Sequence, residues 1–576
     1  MCFPVSLIHP ILLIIHLTRA LNFNLRERGG NAHTYLPMKC AFFSVLVFWA
    51  GIIYGFAAPV PAEDLPLVPA PKEIQSAGKS SFKMSAAVTI AAPKALGSEA
   101  ATLKRILKKR LNVTASPAAG TRGTITLSVS RRIKNREGYE LKISRNGISV
   151  SGGSSAGVYY GVRTLEQLFI TQKRNLPELK IVDEPRFAYR GLMLDPARNF
   201  LPADDVKRFI ETMAAYKLNT LHFHLSDDQG WRVEIKNPKY KKLMSVGAQK
   251  NKPAGTRGYY TQKEIRDIVK FAEKHHVEVI PEIDMPGHNM GAISAHPELT
   301  CEYVRRVNDD PALLRQFPKM EIEIWSKAGV SEALLCAGKK STYAFFDDVL
   351  GELCELFPSK RFHLGGDEAP AKCWDHCKDC QAFMKKEGLK NTQELMAYFF
   401  QRNFDALAKA GKTALYWYEL DVPNYPKNAV MYSWRMGHTQ QAIDRALNEG
   451  YKVICCPGEY AYFDYPQVSS EPNHGWMPLT PLKRTYEFDP GYGRPEEQQR
   501  SILGCEGTLW AEHLDTLDKI YEKAFPRALA LVEAGWTPMA RRNWENFKRR
   551  AAPLVRDMRK NGVPAYWPKD DFGLEK

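Results

Sequence analysis

The sequence predicts an α/β fold, a (β/α)8 TIM barrel preceded by a small α+β domain. Three observations carry this. From Arg186 onward, eight short strand-like runs alternate with helical patterns, as a barrel requires. No glycine-rich phosphate loop follows the first run, which argues against a doubly wound sheet. Carboxylates and tryptophans recur where the runs end, and a barrel keeps its functional residues at the C-terminal ends of its strands.

The chain begins with a stretch that reads as a leader, residues 1–62. Met38-Lys39, the apolar run from Cys40 to Phe56 and the small residues Ala57, Ala58 and Ala62 have the layout of a secretory signal peptide. That run is too short to favour a permanent membrane span, so an exported protein with no stable span after leader removal is expected. The first 37 residues are read as a mis-called extension, with translation starting at Met38. Residues 63–180 follow as a small α+β domain. Its β-like runs are Gly123 to Ser130 and Gly138 to Ser144, and its helical patterns are Ser98 to Leu111 and Ser155 to Gln172. No catalytic cluster stands out within it.

Residues 186–560 form the expected catalytic barrel. Its strand-like runs are Gly191–Leu194, Thr220–Leu225, Val277–Ile283, Phe362–Leu364, Ala414–Trp417, Ala429–Trp434, Val453–Cys456 and Ile502–Gly504. Thr261-x-x-Glu264 is a capping box before Ile265, Ile268, Val269 and Ala272 at helical spacing. Ala442, Ile443, Ala446 and Leu447, ended by Gly450, form another helix. The stretch from about Ala292 to Thr342 is a long insertion.

Composition narrows the function classes. In 576 residues, 44% are apolar and the formal charge is +16, but the basic residues are scattered among acids with no aromatic-interleaved basic block. Nucleic acid is therefore not the expected partner. Nine cysteines lie beyond the leader. Cys373-x3-Cys377-x2-Cys380 supplies three potential zinc ligands without a nearby fourth, so no metal is expected. One or two disulfides are expected instead, Cys301 with Cys336 first.

The strand ends carry the chemistry. After the first run comes Asp195-Pro-Ala-Arg198, with Arg190 opening the run. Later ends carry Asp227-Asp228, Glu282-Ile-Asp284 with His288, and Asp367-Glu368. Beyond these come Trp417-Tyr-Glu419, Trp434-Arg435, Tyr462 with Asp464, and Trp510-Ala-Glu512. Indoles pack on the CH faces of a sugar ring, while charged groups hold its hydroxyls. Paired acids suit glycosidic bond cleavage. His222-x-His224 leaves a metal-dependent amidohydrolase as an alternative, with His363 and His513 as the candidate further ligands.

His363-x-Gly-Gly-Asp367-Glu368 resembles the active-site signature of the family 20 glycoside hydrolases, the β-N-acetylhexosaminidases. The likeness continues through Arg186-Phe-x-x-Arg190-Gly, Leu218 to Arg232, and Pro281-Glu-Ile-Asp-Met-Pro-Gly-His288, and spans about Leu65 to Trp536. The resemblance implies a retaining exo-enzyme that needs no cofactor and removes terminal β-linked GlcNAc or GalNAc from glycans. It implies Glu368 as general acid and base, and Asp367 as the residue orienting the substrate's 2-acetamido group. That group is the nucleophile and forms an oxazolinium intermediate, so the two acids need not be spaced apart. It further implies Tyr462 on the acetamido oxygen and Trp417, Trp434 and Trp510 as pocket walls. Arg190, Asp464 and Glu512 hold ring hydroxyls, and Asp227 and His288 tune Glu368. Phe223 and Asn199 stand where relatives often carry Trp and His. Release of a disaccharide or a modified sugar, and a silent glycan-binding protein, are the remaining alternatives. Trp476 reads equally as a stacking platform or as loop packing.

Overall fold

The computed structural model describes residues 64–248, 258–325, 329–419 and 425–575. The expected leader and its signal peptide lie outside the described residues.

The N-terminal region is one seven-stranded sheet with two helices against it. Its strands are β1 (Glu73–Lys83), β2 (Ala87–Ala91), β3 (Thr114–Pro117), β4 (Ile125–Val129), β5 (Tyr139–Ser144), β6 (Gly147–Gly152) and β7 (Asn175–Asp183), in the order β1-β7-β5-β6-β4-β2-β3. The helices are α1 (Gly97–Leu111) and α2 (Ser155–Gln172), within one residue of the sequence reading. Alternation along β5 and β6 buries Tyr139, Leu141, Ile143, Ile148 and Val150 on one face. Ser154 caps α2 by accepting a bond from the Ala156 N–H.

The closed barrel runs β8 (Tyr189–Leu194), β9 (Thr220–His224), β10 (Glu278–Glu282), β11 (Arg361–His363), β12 (Thr413–Trp417), β13 (Val430–Ser433), β14 (Lys452–Cys455) and β15 (Ile502–Leu509). Every neighbouring pair is parallel, and β15 closes on β8 with Glu506 beside Gly191. The capping box opens α3 (Gln262–Glu273), with Thr261 and Glu264 each accepting the other's backbone N–H. The insertion is mostly short helical turns before α4 (Lys340–Leu356). All nine described cysteines are free, so the expected Cys301–Cys336 bridge does not form.

Strand β15 outruns its apolar sequence pattern, which stops at Gly504. The extra residues include Glu506, buried inside the barrel, where its carboxylate meets His222 Nδ1 at 2.8 Å and accepts from the Tyr189 hydroxyl. A buried charge with such partners is compatible with a strand, although its residue type argues against one. Gly507 is required there because a Cβ would lie 2.5 Å from the Phe463 ring.

The barrel floor is fastened to the N-terminal sheet by ionic contacts. Arg190, fully buried, reaches Glu137 through Nη2 at 2.8 Å and stacks over Trp536 at 4.9 Å. Asp183 at the end of β7 accepts from the Trp536 indole at 2.9 Å and pairs with Lys217 at 3.1 Å. Removing one partner of a buried pair strands the other charge. Glu137→Ala is expected to cost about 3 kcal/mol of stability and to lower Tm, with KM unchanged. Thermal unfolding and steady-state kinetics on the same preparation check this; a raised KM with unchanged Tm would contradict it.

Candidate active site

The acids stand on a turn forced by backbone conformation. After β11, Gly365 has φ +61°, Gly366 φ +103° and Glu368 φ +45°. A Cβ on Gly365 would lie 1.8 Å from Asp284 Oδ1, and one on Gly366 would lie 2.7 Å from the Phe400 ring. Only glycine fits either position. In an uninterrupted strand the next two side chains would diverge; this turn brings both to one mouth. Glu368 holds a left-handed conformation that is costly for a non-glycine residue. Its N–H donates to Glu419 Oε1 at 3.2 Å, and Glu419 is gripped by Arg435 Nε at 2.5 Å.

The two carboxyls occupy different environments. Asp367 is 8% exposed and its Oδ1 has no hydrogen-bond partner among the described residues, whereas the Glu368 side chain is 42% exposed. Burial, with the neighbouring Glu368 charge, pushes Asp367 up to about 7, against the opposing His288 charge. The His288 imidazolium beside it holds Glu368 below the usual carboxylate range, against burial. At 3.6 Å to Glu368 and 3.8 Å to Asp367, the His288 Nε2 contacts are ionic rather than good hydrogen bonds.

His288 owes its charge to Asp227, whose Oδ1 meets His288 Nδ1 at 3.2 Å. Burial alone would pull His288 down, but Asp227 and Asp367 outweigh it and raise its pKa well above normal. Burial would likewise raise Asp227, yet Arg198, His288 and His224 hold it far below normal. Arg198 Nη1 and His224 Nε2 both lie 2.8 Å from Asp227 Oδ2.

Register extends this network inward. β9 and β10 set His224 beside Glu282, and β10 and β11 set Glu282 beside His363. Glu282 pairs with His224, with His222 at 3.1 Å and with His363 at 2.9 Å, and accepts from the Trp417 indole at 2.8 Å. Burial lowers both His222 and His363, but Glu506 and Glu282 push His222 up to about 9, while His363 falls to about 4. The His-x-His pair is thus committed to buried carboxylates. His513 is exposed and stacks on His474 at 3.8 Å.

The expected aromatic residues gather. Trp417 lies 5.6 Å from Trp510, Trp434 stacks on Tyr462 at 6.5 Å and 9°, and Tyr462 lies 6.3 Å from Trp510. The Trp434 Nε1 is buried without a partner among the described residues. Asp464 and Glu512 are neighbours: burial raises Asp464, with the Glu512 charge adding to it. Glu368 also lines a cleft of about 460 Å³ with Ala369, Val330, Glu332, Glu419 and Arg435.

One expected site residue is placed elsewhere. Arg190 lies near the N-terminal end of β8, buried on Glu137, and does not reach the mouth of the barrel. Arg198, beyond the C-terminal end of that strand, takes the position instead. It sits 4.8 Å over Trp510, 3.3 Å from Asp195 and 3.9 Å from Glu512. The strand-end rule already separates the two arginines, since Arg190 opens the run and Arg198 follows it. Asp195, Arg198, Glu282, Glu419 and Arg435 stand at the expected strand ends but received no role from residue type alone, and His224 only that of a possible metal ligand.

The chain matches the description "Glycosyl hydrolase family 20, catalytic domain" over residues 187–539, and "Glycosyl hydrolase family 20, domain 2" over residues 64–184. A β-hexosaminidase from Akkermansia muciniphila is 39% identical over 423 residues, covering 72% of this chain and 82% of that protein. One from Porphyromonas gingivalis is 38% identical over 72% of this chain; the match spans only 52% of that longer protein. Among solved structures, an exo β-N-acetylglucosaminidase from Vibrio harveyi in complex with N-acetylglucosamine superposes with TM-score 0.76. It is 31% identical and covers 89% of this chain and 80% of its own.

Because His288 depresses Glu368, His288→Ala is expected to raise the Glu368 carboxyl toward its ordinary value. A carboxyl-carbon NMR titration of both proteins reads this directly. A Glu368 titration that does not move would remove His288 from the account.

Proposed function

The chain belongs to glycosyl hydrolase family 20, and from that premise we propose that the barrel mouth around Asp367 and Glu368 removes terminal, non-reducing β-linked N-acetylhexosamine from glycans. The observation that carries the reading is the asymmetric pair, a buried Asp367 with a free oxygen beside a half-exposed Glu368.

Adjacent acids on one turn cannot flank a glycosidic bond as acid and enzyme nucleophile do, since that geometry needs carboxyls about 5 Å or more apart on opposite sides of the bond. The substrate's acetamido oxygen attacks the anomeric carbon instead. Asp367 accepts the amide N–H and offsets the positive charge developing on the oxazolinium nitrogen. Glu368 protonates the departing oxygen, then deprotonates the incoming water. Tyr462 meets the acetamido oxygen, Trp417, Trp434 and Trp510 enclose the ring, and Arg198 with Asp464 and Glu512 takes the hydroxyls. Asp227 keeps His288 charged.

In the open cleft the proton favours Asp367 over Glu368, the reverse of what bond cleavage needs. Substrate corrects the order. A sugar strips water from Glu368, which raises its pKa, and supplies an N–H to Asp367, which lowers its own. The pair then holds one proton in the productive position.

Export accompanies this reading, because the apolar run and small residues before Leu65 have signal-peptide layout. Among the described residues no helix is long and apolar enough to cross a membrane. A silent glycan binder is disfavoured by the retention of Asp367, Glu368 and Tyr462 together.

Three outcomes test the proposal. Glu368→Gln is expected to lower kcat by about 10²- to 10⁴-fold on natural glycosides, and far less on aryl glycosides with good leaving groups. Equal losses on both would refute proton donation by Glu368. Replacing the substrate's acetamido group by hydroxyl is expected to abolish turnover, and comparable rates on plain glucosides would exclude the acetamido nucleophile. Finally, kcat/KM reports the free enzyme. Asp367 is protonated below about 7, so the shared proton is lost above it, and kcat/KM is expected to fall as pH rises through about 7. A profile flat across that range contradicts the assignment.

A further inference from the structure

The three-cysteine run that lacks a fourth ligand in sequence acquires its partners from the insertion. Cys301 and Cys336 sit on two segments joined by an antiparallel bridge between Thr300 and Leu335, with the Cys336 N–H donating to the Leu299 carbonyl at 2.8 Å. Cys377 precedes the helix Lys378–Glu387, and Cys380 lies in its first turn. Their sulfurs converge: Cys301 to Cys380 is 3.9 Å, Cys336 to Cys377 is 3.7 Å and Cys336 to Cys380 is 3.6 Å. All four sulfurs lie within 4.8 Å of one another, and all four residues are at most 1% exposed. Cys373, also buried, falls outside this group.

These spacings discriminate between thiol chemistries. A disulfide draws two sulfurs to about 2.05 Å. A tetrahedral zinc with four bonds of about 2.3 Å sets its sulfurs about 3.8 Å apart, the separation seen on three edges of this group. Four soft sulfur donors in a closed, buried tetrahedron suit a structural zinc, with no position left for water or substrate.

We propose that Cys301, Cys336, Cys377 and Cys380 bind one structural zinc ion outside the catalytic centre. Four thiols lose four protons to the solvent as four zinc–sulfur bonds form, and nothing is oxidised or reduced. The Lys339 ammonium donates to the Glu298 and Thr300 carbonyls at 2.9 and 2.7 Å, tying down the chain that leads into Cys301.

The position gives the ion a purpose. Cys377 and Cys380 follow the Asp367-Glu368 turn closely, and Ala369, Pro370 and Ala371 line one part of the cleft. Lys319, Val330 and Glu332, from the insertion between Cys301 and Cys336, line another. The zinc therefore pins together two chain segments that wall the cleft outside Glu368.

The test uses the full chain, purified without a polyhistidine tag or added metal. Elemental analysis is expected to find about one zinc per chain, and X-ray absorption at the zinc edge about four sulfur neighbours at about 2.3 Å. Cys377→Ser/Cys380→Ser is expected to lose the zinc and lower Tm, whereas Cys354→Ser, at a remote thiol, retains it. The wild-type measurements decide the matter even where the double variant does not fold. Iron in place of zinc, nitrogen or oxygen neighbours, metal-free protein, or disulfides among the four cysteines in non-reducing peptide maps would each overturn the proposal.

Discussion

The Asp227 carboxylate is the joint on which the candidate site turns. It is fully buried and would be unstable there alone, yet Arg198, His224 and His288 converge on it and keep it ionised. Through it, the charge inside the barrel reaches the mouth. Glu282 steadies His224, Asp227 keeps His288 protonated, and His288 sets the ionisation of Glu368. Each link has a neighbour of opposite charge on both sides, which is how a row of buried ionisable groups survives in one core.

Backbone conformation supplies the second constraint. The two glycines before Asp367 are there because neither Asp284 nor Phe400 leaves room for a Cβ, and because the chain turns through positive φ. The same turn leaves Glu368 in a left-handed conformation that Glu419 and Arg435 hold in place. The acids are therefore positioned by packing beneath and ion pairing beside them. The cysteine cluster holds the chain that leaves this turn, so the strained element is secured on both its flanks.

Much of this was legible in the sequence. The alternating pattern found all eight barrel strands, and the Thr261-x-x-Glu264 box marked a helix start that the structure bears out. The aromatic residues expected at the strand ends do come together. What stayed hidden is what only the third dimension supplies. The exchange of Arg190 for Arg198 is the exception, since Arg190 opens the first barrel strand and turns to Glu137, whereas Arg198 follows the strand's C-terminal end. Glu506 argues against a strand until its buried partners are known. Cys373, Cys377 and Cys380 looked short of a ligand because the other two sulfurs lie across the insertion, far off in sequence.

In the proposed mechanism Asp367 serves the substrate's own acetamido group, and once substrate is bound Glu368 carries the proton to the leaving group. The most direct measurement is a crystal structure with a thiazoline analogue of the cyclised intermediate. Asp367 Oδ1 is expected about 3 Å from the ring nitrogen, with the Tyr462 hydroxyl nearby and Glu368 facing the site of the leaving group. An analogue whose nitrogen turns away from Asp367, or that leaves its Oδ1 bonded to some other group, would contradict it.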